Sequence, residues 1–227
     1  MSTPKVSQWE RLEDDYLLAA FLIVATIIGY SIIGDHRLGQ MVVVMVQSAT
    51  LIVILRASRV SRQSMILASI LIGLGLAATF VSITLDRQSI GPGLIGALVA
   101  FIGPIVIIRR VRTHLRIDIA TVAASLCVYL LAGLFFAYVF KIIDILDGQF
   151  FAQRVSPGPT DFVYFSFTTL TTLGYGDLSS RLNIGKMLAV SEALLGQLYL
   201  VSVVALLVGN LGRARHPEPP GEGGSEP

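Results

Sequence analysis

Five stretches of this chain carry no charged residue at all, at 16–34, 38–55, 65–85, 89–108 and 119–140. Each is close to the roughly 20 residues an α-helix needs to cross a bilayer. A sixth, 185–211, is broken only by Lys186 at its start and by Glu192. With 54% hydrophobic residues and a mean hydropathy of +0.74, the 227-residue chain is too apolar for an ordinary soluble domain of its size. The expectation is an all-α integral membrane protein with six transmembrane helices. Basic residues gather in the 5–11 tail, at Arg56, Arg59 and Arg62, at Arg109, Arg110, Arg112 and Arg116, and at Arg213 and Arg215. In a six-span layout all of these fall on one side, which the positive-inside rule makes cytoplasmic, with both termini there.

Between the fifth and sixth stretches lies Thr171-Thr172-Leu173-Gly174-Tyr175-Gly176-Asp177. A dehydrated potassium ion needs oxygens in place of its water shell, and stacked rings of backbone carbonyls from four copies of one loop supply them. Aiming successive carbonyls at one axis requires alternation between right- and left-handed backbone, which glycine adopts without steric cost. Gly174 and Gly176 are placed for that role. The Thr172 hydroxyl can add the innermost oxygens, Leu173 and Tyr175 can pack outward, and Asp177 stands at the outer mouth. Read alone, Leu-Gly-Tyr-Gly-Asp would also suit a plain turn. Upstream, Pro157-Gly158-Pro159-Thr160-Asp161 reads as a loop with Thr160 as N-cap, followed by a short helix over 161–171 whose carbonyl end favours a cation. Non-helical backbone at membrane depth is tolerated where it is buried in protein or lines a cavity.

These residues resemble the potassium channel pore family, whose motif is Thr-Val/Ile-Gly-Tyr/Phe-Gly-Asp, with Leu173 departing at the second position. The resemblance covers 117–211. It implies a re-entrant pore helix and selectivity-filter loop between an outer and an inner helix, assembled as a homotetramer and passing potassium through Thr172, Leu173, Gly174, Tyr175 and Gly176. Tyr164 and Phe165 match the aromatic pair that braces the filter in related bacterial channels, with Thr168 and Thr171 nearby. Phe165 stands where many relatives carry Trp, and Thr168 where some carry Glu; both departures bear on filter inactivation. Gly196 lies where the family often has an inner-helix hinge, although small residues in membrane helices also serve close packing. In the family's register Gln197, Leu200, Val204 and Val208 follow on the pore-facing stripe, or serve as helix contacts.

The organisation expected is a cytoplasmic tail at 1–15, a four-helix transmembrane domain at 16–116, the pore domain at 117–211, and a disordered Pro-, Gly- and Glu-rich tail at 212–227. Voltage sensing needs several basic residues inside the field, each moving charge contributing about 2.3 kcal/mol per 100 mV. The fourth stretch has none, and Arg109, Arg110 and Arg112 follow it where they can snorkel. No strong intrinsic voltage sensor is expected. Gly91, Pro92, Gly93, Gly96, Gly103 and Pro104 give that helix kinks and close packing. Glu192, four residues before Gly196 and so on its face, is a functional candidate because burying its charge is costly. It can bond to hydroxyls such as those of Thr168 or Thr171, or act as a proton-sensitive gate element.

A net charge of +2, with basic runs bordering spans, argues against nucleic acid. Cys127 is the lone cysteine, which excludes an internal disulfide and a multi-Cys metal site. His36, His114 and His216 lack ligand spacing. The first stretch reads as an uncleaved span in a multi-pass protein of the plasma or inner membrane. No cofactor beyond the permeant ion, no enzyme activity and no regulatory nucleotide- or calcium-binding domain is expected, while a regulatory ligand or further subunit stays open. Beside a potassium channel stand a weakly selective cation channel and a non-conducting or transporter-associated protein with a pore-like fold.

Overall fold

The computed structural model describes residues 8–33, 37–57, 91–111, 119–154 and 156–214, with scattered helical positions between 66 and 81. The helices are α1 (Gln8–Ile33), α2 (Arg37–Ala57), α3 (Gly91–Val111), α4 (Ile119–Asp147), α5 (Pro159–Leu170) and α6 (Asn183–Ala214). Among the described residues there is no strand, only a single antiparallel bridge between Phe151 and Ser180. The chain is thus all-α where described. The third expected span, 65–85, lies largely outside the described residues, as do 1–7 and 215–227.

Val- and Ile-rich runs such as that in α2 would suit a strand in water, but an apolar surrounding leaves backbone groups no partner other than their own helix. Hydroxyls in these helices follow the same rule. Thr26 donates to the Leu22 carbonyl at 2.9 Å, Ser48 to Val44 at 2.8 Å and Thr50 to Val46 at 2.8 Å. Among the described residues two helices, Thr121–Asp147 and Asn183–Leu206, are long and apolar enough to cross a membrane. Shorter apolar helices cover Asp15–Tyr30, Met41–Ala57 and Gly96–Arg109.

Several boundaries differ from the sequence reading. α1 begins at Gln8, so residues 8–15 of the expected tail are helical, and α6 continues through 212–214 before the described residues end. α4 runs on past 140 through Lys141, Asp144 and Asp147. Charge alone does not stop a helix; Gly148, at φ +81°, does, with its N–H bonded to the Asp144 carbonyl at 2.8 Å.

α1, α2 and α3 pack side by side, and α1 and α3 lie against α4, the outer helix of the expected pore unit. The close packing expected of Gly96 and Gly103 is present. A methyl group at Gly96 would collide with the Tyr138 ring, and one at Gly103 would come within 2.7 Å of Leu131 Cδ1. A buried polar cluster joins the same helices: the Tyr30 and Tyr138 hydroxyls are 3.0 Å apart, and the Gln47 amide bonds to both.

Candidate functional site

α5 is a twelve-residue helix whose start is set two residues earlier than Thr160. Gly158 is the N-cap, in extended backbone, and Pro159 occupies N1 or N2, where its missing N–H costs nothing. Asp161 bonds back to the Gly158 N–H at 2.8 Å and pairs with Arg154 at 2.8 Å. Thr160, displaced from the cap, donates instead to the Tyr30 carbonyl of α1 at 2.8 Å. The helix ends at Leu170 with Thr171 as C-cap.

Beyond it the chain folds back on the helix end. The N–H of Thr172 bonds to the Thr169 carbonyl at 2.9 Å, and those of Leu173 and Gly174 to the Thr168 carbonyl at 2.8 and 3.0 Å. Gly174 and Gly176 take φ of +48° and +80°, the left-handed values their positions call for. Thr172 is also left-handed, at φ +58°, the one non-glycine residue so placed among those described. That costs a β-branched residue about 1–2 kcal/mol, and nothing in the sequence announced it. Positive φ at 172, 174 and 176 therefore alternates with 173 and 175. Among the described residues no donor reaches the carbonyls of 172–176.

The supports are arranged differently from the expectation. Tyr164 stacks on Tyr175, rings parallel within 4° and centroids 6.3 Å apart. Phe165 is buried among Phe140, Phe150 and Phe151, with centroids at 5.1, 5.8 and 5.4 Å. Its ring contacts thus lie in the wall between α4 and α5, not beside Tyr175. Thr168 and Thr171 turn their hydroxyls onto their own helix, to Tyr164 and Phe165 and to Phe167. Thr168 serves the loop through its carbonyl. On the outer side, Ala152 N–H bonds to Ser179 O at 3.0 Å and Arg181 N–H to Phe150 O at 2.8 Å, tying the segment before α5 to the one after the loop.

Glu192 is fully buried, yet neither Thr168 nor Thr171 is its partner. The carboxyl bonds to Ser166, on the face of α5 turned toward α6, because the two threonine hydroxyls are already engaged within their own turns. Ser166 in turn donates to the Gly133 carbonyl of α4 at 2.6 Å. The sequence placed Glu192 and Gly196 on one face but could not show what that face meets. Gly196 abuts the Leu170 carbonyl, where any Cβ would collide, and would sit 2.8 Å from Leu170 Cδ1. Gln197, Leu200 and Val204 are exposed on α6, and the Val208 side chain lies outside the described residues.

Residues 124–212 match the family model described as an ion channel, a segment containing most of α4, all of α5, the loop and nearly all of α6. This supports an ion channel. No curated protein and no solved structure matches the chain. The matched segment thus coincides with the part of the molecule where the loop after α5 is held between α4, α5 and α6, and its apolar helices fit a membrane protein.

Proposed function

We propose that the protein is a potassium-selective channel, formed by four copies of this chain around one axis, that passes potassium passively across the plasma or inner membrane. The observation that carries this reading is the positive φ at Thr172, Gly174 and Gly176, alternating with 173 and 175, with the carbonyls of 172–176 free of donors among the described residues. Four such loops supply rings of oxygens that replace water around a dehydrated ion. Thr172 adds its hydroxyl at the inner end and Asp177 attracts cations at the outer end. The carbonyl end of α5 faces the ion path with its partial negative charge.

In this reading six spans place both termini in the cytoplasm, Gln197, Leu200, Val204 and Val208 line the inner pore, and Glu192 and Gly196 govern the inner helix. Without basic residues between 89 and 108 the first four spans carry no strong voltage sensor, and the stimulus comes from a ligand, a further subunit or the membrane lipids. The test is the reversal potential of purified protein in a planar bilayer, potassium on one side and sodium on the other. Reversal near the potassium potential, abolished by Gly174→Asp, is expected; reversal near zero overturns selectivity.

One observation favours a weakly selective cation channel as a second reading. Thr168 keeps its hydroxyl on its own helix and off the loop, a lighter bracing that would let the oxygen rings adapt to smaller ions.

A further inference from the structure

Three helices meet at one buried hydroxyl. Ser166 of α5 lies between the Gly133 carbonyl of α4, 2.6 Å away, and the Glu192 carboxyl of α6, and both Ser166 and Glu192 are fully buried. A serine hydroxyl has one proton to give. If Glu192 were ionised, both neighbours of Ser166 would be acceptors competing for that single proton, and one contact would be a repulsion between oxygens. A second donor is needed, and the carboxyl is the group able to provide it.

Among the described residues no cation compensates a charge there. From α4 the ionisable side chain facing Glu192 is Tyr129, which donates to the Leu170 carbonyl at 3.3 Å, and from α6 itself Tyr199, stacked on Tyr129 and donating to Ser125 O at 2.7 Å. α5 offers only Asp161 and Tyr164, both engaged elsewhere, and Lys186 is exposed. The second carboxyl oxygen, Oε2, has no partner among the described residues. An unpaired oxygen is tolerable on a neutral acid and very costly on a buried carboxylate.

We propose that Glu192 is a positioning residue that works as an uncharged acid, donating its proton to Ser166 so that inner helix, pore helix and outer helix are pinned at one point behind the filter. The proton passes along no path; it completes a chain of two donations, Glu192 to Ser166 and Ser166 to Gly133. Ionisation removes the first donation, and the inner helix loses its hold on the helix that carries the filter. That consequence rests on the channel reading, whereas the protonation state does not.

The test is the infrared spectrum of the reconstituted full-length protein near neutral pH, wild type minus Glu192→Gln. A protonated-acid carbonyl band present in the wild type and lost in the variant is expected; a difference in carboxylate bands alone overturns the proposal. Should the glutamine variant fail to assemble, Ser166→Ala decides, since the acid band must shift when its acceptor is removed, and an unmoved band refutes the donation. In bilayers, Glu192→Gln retains wild-type potassium current at neutral pH and keeps it at alkaline pH, where the wild-type current falls. Silence of both proteins in the bilayer would mean an absent stimulus or a failed channel reading, and the infrared band alone would then decide the state of Glu192.

Discussion

At Gly196 the inner helix comes so close to the end of the pore helix that a single methyl group has nowhere to go, since the Leu170 carbonyl is backbone and cannot swing aside. Gly196→Ala is therefore expected to cost about 1–3 kcal/mol through overpacking, read as a lowered thermal midpoint of the reconstituted protein; an unchanged midpoint would show that the contact yields freely. The same residue scale marks the limit of reading the chain unaided. Gly174 and Gly176 could be assigned left-handed backbone because residue type and spacing encode it. Thr172 could not, since its residue type argues against the conformation it adopts, and only the pull of three N–H groups onto the Thr168 and Thr169 carbonyls imposes it. Nor could Ser166 be chosen as the partner of Glu192. Helical periodicity tells which face a residue occupies but not which of several hydroxyls on a neighbouring helix already has an acceptor in its own turn.

Among elements, the pore helix shows how local rules compete. Thr160 is a good cap by type, but Pro159 with Gly158 before it sets the start of the helix two residues earlier, and Asp161 completes the turn from within. The freed threonine then serves a neighbour. Its hydroxyl reaches Tyr30, whose carbonyl is among the last four of α1 and lacks an intrahelical partner. Thr160→Val preserves shape and removes the donor, so a loss of about 0.5–1.5 kcal/mol is expected, seen as faster hydrogen exchange in the last turn of α1. Equal exchange in variant and wild type would mean that water or another donor replaces it. The ring contacts of Phe165 could not be read from the motif for a similar reason. Its position in the motif put it beside Tyr164, yet a side chain without a polar atom gains more among Phe140, Phe150 and Phe151 than at the loop.

Across the whole molecule, the two helices that qualify as spans are treated unequally by their own chain. Half of the apolar window of α4 is buried, but only 11% of that of α6, and Leu173 and Tyr175 are 56% and 67% exposed. α6 and the loop thus present surfaces that one chain leaves uncovered, which the proposed fourfold assembly would cover. Native mass spectrometry of the detergent-solubilised protein is expected to give four times 24.4 kDa; a monomer or dimer as the largest species would refute the fourfold assembly. The all-α character was plain from the length of the uncharged runs, whereas the way α1 and α3 lean on the outer helix depends on contacts that no single run contains. The bond from Thr160 to Tyr30 joins residues 130 positions apart. During synthesis the first helix is made long before Thr160 has left the ribosome, so its final turn must wait for that donor. α1 can complete its seat only after α5 is made, which puts the closing of this fold late in its translation.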